Sequence, residues 1–424
     1  MYKYIKLLVI FSLLLFFFSN ETKADEILTW GDCVREATKN HPALVSASEN
    51  LKQSRADKAI TMSTILPQIS AAGSDKKLET DAKKEYEASS YSITGKQLLF
   101  DGFKTSNDVK AASETINASQ YNYAVTSSNI RLRLRTAFTE LLRTQKLVIM
   151  TEEIALRRKQ NSELVKLRYE AGREHRGSLL TSQADLAQAE FEVVQAKRSV
   201  SLAQRQLTKE LGRRKIIPIK ANGDFQITDI NRKKPDFEHL ADNTIFLEEL
   251  IAKKEAARFG LKSAKADFFP KIYANATTGT TNSDWRPDED TYAWSVGISA
   301  SLPIFEGGSR IAKVSKAKAG LNKAQADERS GRDSIIFTLE ETWTEFQNAT
   351  DKVSVQRKYL EAAKERAKIA NAQYSTGLTS FNDWIIIEDN LVNAKKSFLN
   401  AQANVLVNEA NWTQAKGGTL NYGE

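Results

Sequence analysis

Apolar residues follow two different periods along this chain, and each period occurs twice. Leu179, Leu186, Val193, Val200 and Leu207 stand seven apart, with the small Ser182, Ala189, Ala196 and Ala203 three positions behind them. The same frame returns as Trp384, Leu391, Phe398, Val405 and Trp412, followed by Ile387, Ala394 and Ala401. These are the a and d positions of heptads, and a seven-residue repeat predicts helices that coil left-handed against a neighbour. The b position is also apolar at Ala187, Val194, Ile385, Val392, Leu399 and Leu406. A stripe that wide exceeds a two-stranded seam and suits a helix with a neighbour on each side.

Elsewhere the period is two. Tyr292, Trp294, Val296, Ile298, Ala300, Leu302 and Ile304 alternate with Ala293, Ser295, Gly297, Ser299 and Ser301. This predicts a strand with one apolar face and one small, polar face. A weaker version runs from Ser89 to Phe100, through Tyr91, Ile93 and Leu99, and Gln68–Ser74 and Lys271–Gly279 read as the partner strands. The charged stretches 75–90 and 282–290 read as loops between partners. Each half of the chain thus supplies one β-hairpin, about 68–101 and 271–305, for four strands in all. Apolar-out, small-polar-in strands of this length fit an outer-membrane barrel, and four are too few to close one. A layer of a soluble β-sandwich is the alternative. Shorter helices, 44–66 and about 244–268, precede the hairpins and are closed by Pro67 and Pro270.

The halves match at a fixed offset. Tyr169-x-x-Gly172 returns as Tyr374-x-x-Gly377, and Phe100-Asp101-Gly102 as Phe305-Glu306-Gly307, both shifted by 205. Leu66-Pro67-Gln68-Ile69 returns as Phe269-Pro270-Lys271-Ile272, shifted by 203. One unit is therefore present twice, over residues 25–222 and 223–424. Gly102 to Gly172 and Gly307 to Gly377 are both 70 residues, without proline and rich in helix formers. A helix filling that interval would be on the order of 100 Å long. Gly172 and Gly377 then end the long helices in left-handed caps, and the chain turns back into the heptad helices.

Residues 1–24 stand apart. Lys3 and Lys6 precede an apolar run from Leu7 to Phe18, and Thr22-Lys23-Ala24 offers a cleavage site. The run is short of the ~20 residues needed to span a bilayer, so the segment reads as a secretory signal peptide. No later segment is apolar enough for a transmembrane helix. The formal charge falls from +8 to +6 as Lys3, Lys6 and Lys23 leave with Glu21. The remaining Lys and Arg are scattered among Asp and Glu, which reads as solvation and not as a nucleic-acid footprint. One cysteine, Cys33, cannot form an internal disulfide, and three histidines leave little material for a transition-metal site. His41, His175 and His239 have no evident catalytic partners, and no phosphate loop is present, so the chain reads as a non-enzyme without cofactors.

Together, "LTWGDCVREATKNHPAL", the "LPQIS" step from helix to strand, "LFDG" and "PIFEGG" from strand to long helix, and the two Tyr-x-x-Gly tips resemble the TolC-type outer membrane efflux proteins. The resemblance covers nearly all of the chain after residue 24. It implies a mainly α fold with a small β part: a homotrimer with a shared twelve-stranded barrel in outer-membrane lipid, continued by a helical tunnel across the periplasm. It also implies an equatorial belt over residues 213–243 and the C-terminal tail. By the same resemblance the protein is the passive exit duct of a tripartite efflux system, docking to an inner-membrane transporter and a periplasmic adaptor protein. Tyr169, Gly172, Tyr374 and Gly377 match the family's tips, and Asp383 matches an acidic pore-lining position. Arg173, Arg176 and Thr379 are candidate latch or adaptor contacts. At the next acidic position of some members stands Ile386, and Ser178 replaces the acid in the first copy, which thins the expected charge ring. Type I protein or peptide secretion through the same duct is the alternative use. A periplasmic coiled-coil adaptor is disfavoured by the duplicated strand pair.

Overall fold

A computed structural model describes residues 26–80, 83–215, 217–225, 233–282 and 292–421. The expected signal peptide lies outside them. In chain order the elements are β1 (Glu26–Leu28), α1 (Trp30–Asn40), α2 (Pro42–Ser63), β2 (Gln68–Thr80), β3 (Lys83–Phe100), α3 (Lys104–Glu170) and α4 (Arg176–Glu210). They continue with β4 (Ile219–Ala221), α5 (Phe237–Asp242), α6 (Ile245–Ala266), β5 (Lys271–Asn282), β6 (Tyr292–Ser301), α7 (Ser309–Thr376) and α8 (Phe381–Ala415). The long helices are 67 and 68 residues, and both returning helices are 35. No described helix is long and apolar enough to cross a membrane.

The two hairpins join in one antiparallel sheet, ordered β2-β3-β5-β6. Its register separates two faces. Ile69, Ala71, Tyr91, Ile93, Ala276, Thr278, Trp294 and Val296 fall on one. The other carries cross-strand polar contacts: Ser74 with Ser90 at 2.9 Å, Thr94 with Thr277 at 3.5 Å, and Asn275 Nδ2 donating to Ser299 Oγ at 2.8 Å. Every residue of β6, on both faces, is exposed, so no second layer covers this strand as a β-sandwich would. Trp294, Val296 and Ile298 are each about three-quarters exposed.

Two expectations about the strands need correction. Most of the charged stretch 75–90 is strand, not loop: β2 runs on to Thr80 and β3 begins at Lys83. Lys77 pairs with Glu85 at 3.2 Å, and Ser89 Oγ donates to Asp75 at 2.8 Å. A ribbon wet on both faces has no apolar alternation to read, so its polarity looked like a loop. At the other end, β6 stops at Ser301, short of Leu302 and Ile304. Pro303 lacks the N–H that would continue the ladder. Residues 283–290 of the second expected loop lie outside the described residues.

Helix α3 is the spine. Near the sheet it packs against α2 and α6, where Ser54 meets Ser119 at 2.8 Å and Lys104 donates to Ser263 at 3.1 Å. Further along it packs against α4 and α8. Placed end to end along α3, α2 and α4 nearly match its length. Helix α7 lies against α6 and α8.

Midway along α3, the largest core cluster gathers Val34, Leu44, Ile130, Leu134, Phe138, Leu141, Leu207 and Ile219. β1 pairs in parallel with β4, and Arg213 clamps both Glu26 and Glu36. Leu420 is buried there, its N–H donating to Ser127 Oγ at 3.1 Å. Of the expected belt, residues 217–225 and Leu420 lie against α3, whereas α5 packs on α7 through Phe237, Leu339 and Trp343. The N-terminal segment 26–40 joins the group on α3, a contribution that its short amphipathic pattern did not announce. Residues 226–232 and 422–424 lie outside the described residues.

Candidate functional site

Both long helices end in the same cap. Gly172 has φ +69° and donates to Tyr169 O at 2.9 Å, while Arg173 N–H reaches Arg168 O at 2.8 Å. Gly377 has φ +84° and donates to Tyr374 O at 3.1 Å, while Leu378 N–H reaches Gln373 O at 2.8 Å. These paired bonds satisfy carbonyls that the helix leaves open, and the left-handed φ is why glycine stands at both positions. The returning helices are capped in turn: His175 Nδ1 accepts from Ser178 N–H at 3.2 Å, and Ser380 Oγ from Asp383 N–H at 3.1 Å.

The two tips meet at Tyr374. Its ring stacks on Trp384 with centroids 4.1 Å apart and 8° between planes, and Phe381 meets it edge-on. The Arg168 guanidinium covers the opposite side, 4.7 Å from the ring centroid, and Arg168 Nη1 donates to Tyr374 O at 2.7 Å. The Tyr374 hydroxyl donates to Glu174 Oε2 at 3.0 Å. Arg168 and Glu174 belong to the first tip, Tyr374 and Trp384 to the second, so this cluster ties hairpin to hairpin. Burial pushes the Glu174 carboxyl up, but hydrogen bonds from Ser178, Tyr374 and the His175 N–H outweigh it and hold it below the ordinary glutamate value. Burial, then the bond to Glu174, pushes the Tyr374 phenol up, so it stays a donor. A hydrogen bond to a charged acceptor contributes about 1.5–3 kcal/mol.

A family profile described as "Outer membrane efflux protein" matches residues 33–213 and 240–418. The chain belongs to the outer membrane efflux protein family. Outer membrane efflux protein BepC of Brucella suis is 22% identical over 370 residues, covering 85% of this chain and 80% of that protein. The alkaline protease secretion protein AprF of Pseudomonas aeruginosa is 22% identical over 391 residues, covering 87% and 80%. The crystal structure of the outer membrane protein VceC of Vibrio cholerae superposes with a TM-score of 0.80 at 19% identity, over 92% of this chain and 96% of that one.

As a member of the outer membrane efflux protein family, this chain resides in the outer membrane and serves as an efflux duct. Its fold is that of the family's solved outer-membrane channels, with four strands and two long helical hairpins in the chain. The efflux protein's tip residues are unequally placed. Tyr374 is fully buried, whereas Tyr169 is 39% exposed. The position opposite Tyr374 on the returning helix is Trp384; its counterpart 205 residues earlier is Leu179, which offers no ring to stack on. Asp383 is exposed at the start of α8, where its carboxylate accepts from Ser380 Oγ at 2.7 Å and opposes the helix dipole. Arg173 and Arg176 are exposed and Thr379 is half-buried. Leu378 projects from the second tip, 79% exposed. Arg168 and Glu174 escaped the sequence reading, and Trp384 stood there only as a heptad position, because nothing local says that the two tips touch.

Proposed function

We propose that three copies of this chain close around an axis and form a passive duct whose helical tips receive a periplasmic adaptor and an inner-membrane transporter. The supporting observation is a set of half-finished surfaces. β2 and β6 have one strand neighbour each in the chain, four strands cannot close, and barrels begin at about eight. Three such sheets make twelve strands, with Ile69, Ile93 and Trp294 toward lipid and the Ser, Thr and Asn ladder toward the lumen. At the far end, the Tyr374–Glu174–Arg168 cluster holds the second hairpin against the first and keeps the mouth narrow at rest. Asp383 from each copy then rings the mouth and favours cations. Arg173, Arg176, Thr379 and the exposed Leu378 are the surface offered to the adaptor.

The purified protein should run as a heat-resistant trimer from outer-membrane fractions; a monomer in the soluble periplasm would end this reading. The likeness to AprF, whose name refers to protease secretion, supports a second cargo class. Loss of the gene should either sensitise cells to dyes and detergents or abolish secretion of a defined protein. The first result assigns small-molecule efflux and the second assigns secretion.

A further inference from the structure

Farther up from the tip, the two hairpins are tied a second time, through charge. Arg157 of α3 donates to both Glu388 oxygens on α8, at 2.5 and 2.6 Å, and the next residue, Arg158, donates to Asp389. Asn161 Nδ2 also reaches Glu388, at 3.5 Å. Glu388 is 1% exposed and Arg158 7%. Arg158 Nη1 and Asp185 Oδ2, the latter on α4, are buried without a hydrogen-bond partner among the described residues. One heptad farther along α8, Lys395 pairs with Glu153 at 3.4 Å and Lys396 with Glu192 of α4 at 2.7 Å. Neither of these pairs has a member as buried as Glu388 or Arg158, so both are more screened.

Each pair joins one buried member, Glu388 or Arg158, to a more exposed partner, and such a pair adds little net stability, since apolar side chains of the same volume would serve as well. What it adds is a contact with discrete made and broken states, at the e position of the heptad, where charges choose the partner helix. Arg157 lies eleven residues before Arg168, roughly 16 Å along α3. Beyond it, the ends of α7 and α8 can move as a lever while the ion pairs hold.

We propose that Arg157–Glu388 and Arg158–Asp389 are a second latch, which limits how far the mouth opens after the Tyr374 contacts release. This rests on the gate reading above and makes the four charged residues positioning residues for opening. The test is single-channel recording of the full-length trimer in planar bilayers. Tyr374→Phe with Arg168→Ala should give a partly opened level. Adding Glu388→Gln and Asp389→Asn should reveal a wider level, populated roughly a hundredfold more, as expected when buried charges lose their partners. Exchanging the pair instead, Arg157→Glu with Glu388→Arg, should return the tip variant to its partly opened level. No wider level in the combined variant overturns the second latch, and so does a wide level in the exchanged pair. A wide level from the Glu388 and Asp389 changes with the tip intact would also overturn it, because the ion pairs would then be the primary hold. An unchanged tip variant beside a combined variant that opens removes the gate reading alone; if both are unchanged, both ideas fall. Should the amide variants fail to assemble as heat-resistant trimers, the exchanged pair, which keeps both charges, still decides.

Discussion

Helices α4 and α8 have the same length and the same heptad frame, yet they meet different surroundings. On α8 the b positions Leu399 and Leu406 are buried, because α3 stands on one side and α7 on the other. On α4 the b position Val194 is 45% exposed and Ala187 is exposed, because α3 is its main helical neighbour and α8 meets it only at the edge, as where Lys396 reaches Glu192. Leu180, Phe191 and Leu202 are exposed on α4 as well, and Phe337, Val355, Tyr359 and Ile369 on α7. A wide apolar stripe satisfied on one helix and left open on its twin is addressed to another chain. Burying one such Leu or Phe contributes about 1.5–3 kcal/mol, so several per subunit suffice to hold an assembly.

Four substitutions grade this contrast. The largest effect belongs to α8: Leu399→Ala should destabilise the chain by about 2–5 kcal/mol through the cavity it leaves, read as a lowered midpoint of denaturant unfolding. The matching change on the open side, Val194→Asp, should leave secondary structure intact by circular dichroism but abolish the heat-resistant trimer. If Val194→Asp trimers survive boiling sample buffer as the parent does, the open face of α4 is not an interface. Next comes Glu174→Gln. The folded-state pKa of Glu174 is depressed, so its contribution is present at neutral pH and is lost as pH falls from the ordinary glutamate value, ~4.3, through the lower value in the tip. Acidification should therefore widen the parent channel, and the Gln variant should start wider and lack that response; an identical acid response would detach Glu174 from the gate. Smallest is Tyr169→Phe, expected within about 0.5 kcal/mol and without effect on conductance, because exposed side chains rarely matter more. A Tyr169→Phe channel that reaches the partly opened level expected of Tyr374→Phe with Arg168→Ala would show the two tips to be equivalent after all.

The tip cluster was half legible. Its glycines stood out, because a left-handed cap needs glycine wherever it occurs and both copies kept one 70 residues after the strand corner. Tyr374 was legible as a repeated residue, but its partners were not. Arg168 and Glu174 are some two hundred positions away, and ordinary surface helices carry such charges throughout. Glu388 did leave a trace, as a carboxylate at an e position flanking large apolar residues, with Lys395 at the next e. That trace does not name Arg157.

What the sequence determined alone is everything governed by local periodicity and backbone stereochemistry: the long helices, the heptad returns, the caps, the strands whose apolar face alternates, and the duplication that relates the halves. Only the tertiary structure decided which copies of a repeated element are enclosed and which are left open, and which charges meet across helices. The reason is that a period specifies which face of an element must be covered, whereas the identity of the cover depends on the order in which the elements are arranged in space. Here α8 lies between the two long helices and α4 at the side, and no residue within either helix records that position.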